Sequence, residues 1–218
     1  MLRTLAWSDL DYLLPKTKQV LVDLADFDFL SNYTFVGGSG LSLYLHHRLS
    51  EDIDLFTWEP GLDRTRILSA LRQKYPALNI EQSTDQQIDL QLNGVKVTFF
   101  ANNWEALRDN SPFYKKLQVG SIRLLTGMKL NTLFLRAKYR DYYDLYCLSK
   151  EVFPIEEMYS IIYDLMPGMN KRLFQMALSY TDDIVDDSIH HLEPKYKISK
   201  EEIGAYFQEK VFDWLNKL

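Results

Sequence analysis

The segment Phe35-Val36-Gly37-Gly38-Ser39-Gly40-Leu41 compresses a hydrophobic strand, a glycine turn and the start of an amphipathic helix into seven residues. No other stretch of the chain constrains its fold as much. Such a turn leaves backbone N–H groups without helical partners, and glycines let another group approach the backbone closely. With about half a positive charge from the helix macrodipole, bare amides of this kind form an anion site, to which the Ser39 hydroxyl would add a donor. A Gly-Gly turn also has a purely conformational use, because it needs only positive φ. The string starts like G-x-G-x-x-G, yet position 43 is Leu and no Lys-Ser/Thr pair follows. Dinucleotide and P-loop sites are therefore both disfavoured.

Thirteen residues beyond Ser39 comes Asp52 of Glu51-Asp52-Ile53-Asp54-Leu55-Phe56. Alternation along a strand sends Asp52 and Asp54 to one face and Ile53 and Leu55 to the other. Two carboxylates ~6 Å apart in an effective dielectric of ~20 repel by roughly 3 kcal/mol, which water, protonation or a cation must relieve. Oxygen ligands of this type suit Mg²⁺ or Mn²⁺, which commonly share their shell with substrate phosphates. Such a pair also occurs on ordinary exposed strand edges. One helix and one short loop separate turn and acids, so strand, turn, helix and strand can bring both to one sheet edge.

The pattern changes near residue 125. Before it, Tyr33 to Val36, Ile53 to Trp58, Ile88 to Leu92 and Val95 to Phe100 read as strands, the last two joined by an Asn93-Gly94 hairpin turn. Lys16 to Leu30, Gly40 to Leu49 and Asp63 to Tyr75 read as helices. After it, apolar residues recur at helical spacing through Met128 to Ala137, Tyr142 to Leu148, Ile155 to Leu165, Leu173 to Tyr180 and Ile203 to Leu218. The expectation is an α+β protein: a mixed sheet with flanking helices over 1–125, then a helical bundle over 126–218.

With 46% hydrophobic residues, 25% charged ones and a net charge of −5, the chain is a folding sequence without the excess positive charge that coats nucleic acid. Seven basic residues nevertheless fall between Lys115 and Arg140 with no Asp or Glu among them. This island is either a solvated face or a phosphate-binding surface. The single cysteine, Cys147, excludes an internal disulfide framework and reads as a buried thiol. No run of about 18 apolar residues predicts a membrane span. The start, with its acids and proline, does not read as a signal peptide, so the expected compartment is the cytoplasm.

Gly37-Gly38-Ser39 followed by Arg48-Leu49-Ser50-Glu51-Asp52-Ile53-Asp54-Leu55-Phe56 resembles the first motif of nucleotidyltransferases with the DNA polymerase β-like fold, in the AbiEii/AbiGii toxin branch of phage-defence and toxin–antitoxin systems. Lys129, Arg136 and Lys138-Tyr139-Arg140-Asp141-Tyr142-Tyr143-Asp144-Leu145-Tyr146 resemble the later helical motifs of that branch. The resemblance covers about residues 30 to 150. It implies an enzyme that moves a nucleoside monophosphate from a nucleoside triphosphate to a hydroxyl of RNA, such as a tRNA 3′ end, or of a protein. Gly38 and Ser39 would hold the triphosphate, Asp52 and Asp54 the Mg²⁺ or Mn²⁺, and Arg48 and Lys129 would neutralise phosphate charge. Asp144 would act near the leaving group or the lysine, whereas Asp141 would serve there or pair with Lys138 or Arg140. An antitoxin is implied as partner.

One departure stands out. Members of the family often carry a third carboxylate on a neighbouring strand, and in Val95-Lys96-Val97-Thr98-Phe99-Phe100 that place falls to Thr98. Asp89 on the preceding strand is a substitute or an ordinary strand acid. The alternative implied is a catalytically impaired, nucleotide-binding protein of the same fold. His46 and His47 face about 100° apart on a helix and do not suit one metal ion. The acidic run Asp182-Asp183-Ile184-Val185-Asp186-Asp187 reads as a solvated face, and Tyr139, Tyr142, Tyr143 and Tyr146 read as interdomain packing or, for one of them, a base-stacking surface.

Overall fold

The computed structural model describes residues 4–103, 108–136, 138–181, 184–185 and 188–216. The chain divides into two compact units, Met1–Ile122 and Arg123–Leu218.

In the first unit, α1 (Pro15–Leu24), α2 (Gly37–Leu45) and α3 (Arg64–Lys74) accompany β1 (Thr34–Val36), β2 (Ile53–Thr57), β3 (Asn79–Ser83), β4 (Gln87–Leu92), β5 (Val95–Ala101), β6 (Asn110–Tyr114) and β7 (Leu117–Gly120). The seven strands form one sheet in the order β3-β4-β5-β2-β1-β7-β6. β2 runs antiparallel to β1 and parallel to β5, and β1 is parallel to β7. Alternation decides which face is buried. Phe35, Ile53, Leu55, Val97 and Phe99 join Val20, Leu21 and Leu24 of α1 and Ile67 and Leu71 of α3 in a single core cluster. Each such side chain contributes about 1.5–3 kcal/mol when fully removed from water. The intervening residues Asp54, Thr98 and Asp89 therefore share the opposite face.

Local chemistry explains the boundaries. Pro15 opens α1, where its missing N–H costs nothing. The Asp63 side chain caps α3 by accepting from Arg66 N at 3.0 Å. The expected hairpin forms, with Asn93 and Gly94 both at positive φ, as a two-residue turn between twisted strands requires. The helix expected over Lys16 to Leu30 stops at Leu24, and a 3-10 turn over Asp28–Asn32 leads the chain into β1. The helix expected to reach Leu49 ends at Leu45, where His46 takes a left-handed conformation with φ 52°.

Three strands gave no sequence signal. β3 and β6 are sheet edges and largely exposed, so burial imposes no alternation on them; Pro112 in β6 is tolerated at an edge. β7, four residues long, is too short to show a period.

The second unit holds α4 (Ile122–Thr132, whose first residue closes the first unit), α5 (Tyr139–Glu151), α6 (Ile155–Leu165), α7 (Lys171–Ser179) and α8 (Lys200–Asn216). α8 packs on α5, α6 and α7, and Leu145, Leu148, Phe174, Leu178, Phe207 and Val211 are buried. Cys147 is buried as well. The tyrosines expected between domains find partners inside this unit: Tyr142 Oη lies 2.8 Å from Ala177 O, Tyr143 Oη accepts from Tyr196 N at 3.0 Å, Tyr139 Oη donates to Ile198 O, and Tyr146 packs edge-on against Tyr196 and Tyr206. The hydroxyls of Tyr139 and Tyr143 satisfy backbone groups of the irregular segment before α8, a requirement that helical spacing does not reveal. Ala137, Leu218 and the acids Asp182, Asp183, Asp186 and Asp187 lie outside the described residues.

Candidate functional site

Val36 pairs with Asp54 across β1 and β2, and α2 begins at the very next residue, Gly37. That turn needs a glycine twice over. Its φ is +73°, and a Cβ built on Gly37 would lie 2.0 Å from Asp54 Oδ2. The carboxylate of Asp54 thus lies against the bend, at the N-terminal end of a helix that has no side-chain cap, where the macrodipole favours negative charge. Asp52 and Asp54 are both half-buried, as is Gly38 in the first turn.

Asp52 precedes β2 and is held to the same turn. Ser39 Oγ, itself buried, donates to Asp52 O and lies 2.8 Å from Ser50 Oγ. Arg48 is buried too, with Nη1 donating to Leu49 O at 2.9 Å and to Ser50 Oγ at 3.4 Å. The polar groups of Ser39 and Arg48 thus brace the loop that carries the acids. Thr17 Oγ1 adds a bond to Glu51 O at 2.7 Å.

Across the sheet Asp54 pairs with Thr98, and Thr98 with Asp89, so the three stand in one row. Asp89 receives Gln87 Nε2 at 2.9 Å and has Lys96 Nζ at 3.6 Å. Among the described residues no group of three or more His, Cys, Asp or Glu forms a metal cage. The half-buried Asp54 carboxylate at the helix start, with half-buried Asp52 two residues before it, could hold a hard divalent cation that completes its shell with water and phosphate oxygens. His46 is otherwise engaged, with Nε2 2.9 Å from Asp9 Oδ1 and its ring stacked on Tyr12 at 3.6 Å.

In the second unit Lys129 Nζ sits 2.7 Å from Asp141 Oδ1 and 2.9 Å from Asp144 Oδ2, with both carboxylates fully buried. Arg136 reaches Asp141 through Nε at 2.9 Å. Burial pushes the Asp141 carboxyl up, but the charges of Lys129 and Arg136 outweigh it and hold the group below its ordinary range. Asp141 therefore pairs with Lys129 and Arg136 rather than with the Lys138 or Arg140 beside it in sequence.

Five of the seven residues of the basic island are ion-paired. Lys115 pairs with Asp26, Lys116 with Asp28, Arg123 with Asp164, and Lys129 and Arg136 with the buried acids. Three of the seven thus meet acids distant in sequence, which a local count of charge does not detect.

Residues 19–104, from α1 through β5, match the family model described as nucleotidyl transferase AbiEii toxin, type IV TA system. This segment is similar to the AbiEii nucleotidyltransferase toxin family. It contains the glycine turn, Asp52 and Asp54. An uncharacterised protein of Aquifex aeolicus (strain VF5) is 24% identical over 204 residues, covering 91% of this chain and 95% of that protein. Two solved structures share the fold. One, from H. pylori, is provisionally described as a nucleotidyltransferase and superposes with a TM-score of 0.55 at 18% identity, covering 98% of this chain and 97% of that one. The other is MenT4, a nucleotidyltransferase toxin of Mycobacterium tuberculosis H37Rv, with a TM-score of 0.54 at 17% identity and coverage of 92% and 86%. The fold likeness therefore extends past the AbiEii-type segment over the helical unit. No helix among the described residues is long and apolar enough to cross a membrane.

Sequence reasoning assigned phosphate contacts to Gly38 and missed the tighter constraint on Gly37. The Gly-Gly pair carried the signal, but only the register of β1 against β2 shows which glycine meets Asp54. Ser50 was also missed, and a lone serine in a loop has no pattern that would reveal it.

Proposed function

We propose that this protein is a Mg²⁺-dependent nucleotidyltransferase that moves a nucleoside monophosphate from a nucleoside triphosphate to an RNA or protein hydroxyl, as the toxin component of a toxin–antitoxin or phage-defence system in the cytoplasm. The observation that carries this is the packing of the Asp54 carboxylate against the Gly37 bend, with Asp52 tied to the same turn through Ser39. Asp52 and Asp54 would hold Mg²⁺ or Mn²⁺, and the uncapped first-turn amides at Gly38 and Ser39 would receive phosphate oxygens. When bound, the cation would supply charge neutralisation on the triphosphate, while the acceptor hydroxyl attacks the α-phosphate in line and pyrophosphate leaves. The chain's own contribution is alignment and a fixed electrostatic frame, which nucleotidyl transfer needs more than covalent help. Lys129 and Asp144 enter by residue-for-residue resemblance alone, as the lysine and an acid of the later helical motif, and Asp144 holds Lys129 at 2.9 Å.

Thr98 supports a second reading, a nucleotide-binding protein without turnover. It occupies the register position beside Asp54 where a third carboxylate would complete a two-metal site. Incubation with each labelled triphosphate, total RNA and Mg²⁺ separates the two. Transfer of label above an Asp52→Ala/Asp54→Ala control is the expected result. Binding of triphosphate by calorimetry without transfer to any acceptor favours the second reading, and neither binding nor transfer rejects both.

A further inference from the structure

Ser50 carries no role so far, yet both its backbone and its side chain are committed. Its N–H donates to Tyr12 O at 3.0 Å and its carbonyl accepts from Leu14 N at 2.9 Å, in a parallel bridge with Leu13. Its side chain, in a residue 4% exposed, lies 2.8 Å from Ser39 Oγ and receives Arg48 Nη1 at 3.4 Å.

A hydroxyl has one hydrogen to donate. Ser39 directs its hydrogen at Asp52 O, so the hydrogen between the two serines is Ser50's. Arg48, a donor without acceptor capacity, supplies the Ser50 oxygen. The bonds therefore run one way, from Arg48 to Ser50 to Ser39 to the carbonyl of Asp52. All four groups belong to 39–52, and the N-terminal segment around Tyr12–Leu14 anchors the middle of the relay.

We propose that Ser50 is a positioning residue for the Asp52/Asp54 pair: by donating to Ser39 it fixes the Ser39 hydroxyl on the Asp52 carbonyl and so locks the acid-bearing backbone onto the first turn of α2. The proposal rests on the cation-holding role given to the two acids above. It turns the Ser39 side chain from a phosphate ligand into the last link of the relay. A phosphate ligand would act on triphosphate affinity and be indifferent to Ser50. A relay makes the two serines act as one unit on the cation.

Mn²⁺ binding to the full chain, followed by loss of the aqueous Mn²⁺ electron paramagnetic resonance signal, reads this without turnover. The proteins compared are wild type, Ser39→Ala, Ser50→Ala, the double variant and Ser50→Thr, each with its thermal midpoint. Loss of a hydrogen bond that orients a ligand is expected to weaken Mn²⁺ binding about five- to tenfold in Ser50→Ala. The double variant should bind no more weakly than Ser39→Ala alone, because coupled sites are not additive. Ser50→Thr, which keeps the hydroxyl, should stay within about twofold of wild type. Wild-type affinity in Ser50→Ala, additive losses in the double variant, or equal losses in the Ala and Thr variants would each overturn the proposal. If wild type binds no Mn²⁺, the cation-holding role fails and this proposal with it; if wild type binds and the variants match it, only the relay fails.

Discussion

The carboxylate of Asp54 occupies the space where residue 37 would carry a side chain: a Cβ on Gly37 would fall 2.0 Å from Asp54 Oδ2 and 2.9 Å from its Cγ. The site and the backbone turn are therefore one construction. Gly94 shares the positive φ of Gly37 but has nothing within 4 Å of its own Cβ position. Gly94→Ala is expected to cost about 1 kcal/mol in denaturant unfolding, the price of a left-handed residue alone. Gly37→Ala should cost clearly more and also weaken Mn²⁺ binding, because relief of the contact requires Asp54 to move. Equal losses in the two variants would show that Asp54 does not press on the bend.

Asp52→Asn and Asp54→Asn keep side-chain shape and remove charge. Each is expected to lower nucleotidyl transfer about 100-fold or more, which corresponds to about 3 kcal/mol of transition-state stabilisation. The thermal midpoint should stay within about 3 °C of wild type, since removing one of two neighbouring like charges relieves repulsion. Activity near wild type in either variant would remove that acid from the site.

Lys129 separates two fully buried carboxylates. Lys129→Met leaves Asp141 and Asp144 facing each other without the ammonium, and breaking a buried ion pair on one side costs about 3–5 kcal/mol. Arg136 is half exposed and its removal leaves Lys129 in place, so Arg136→Ala should cost about 1 kcal/mol. Denaturant midpoints of the two variants measure the contrast, and a larger loss for Arg136 would reverse the assignment of the main clamp.

Asp141 is held below its ordinary carboxyl value, so its ionised form stabilises the fold. A group depressed on folding contributes fully above its unfolded value, near pH 4, and loses that contribution as pH falls through the lower folded value. Stability of the wild type should therefore drop below about pH 4 in part through this group. Asp141→Asn should be less stable at pH 7 and show a shallower decline in the acid range. An unchanged slope would mean that Asp141 does not carry the pH dependence.

The strand–turn–helix at Gly37, the alternation through Asp54, the Asn93-Gly94 hairpin and the helices of the second half were legible in the sequence. Each follows from conformational preferences or periodicities that act within about ten residues. Chain order alone did not tell which strands are neighbours. Only the tertiary structure placed Asp54 between Val36 and Thr98, added two exposed edge strands and one buried strand too short to show a period, and showed that Ser39 and Arg48 brace a loop. It likewise paired Lys115, Lys116 and Arg123 with acids far away in sequence, and closed Lys129 between Asp141 and Asp144. The physical reason is that a side chain's partners are set by packing across the sheet and between helices. Neighbours in the chain constrain backbone shape, but charge and hydrogen bonding are satisfied by whatever the fold brings near.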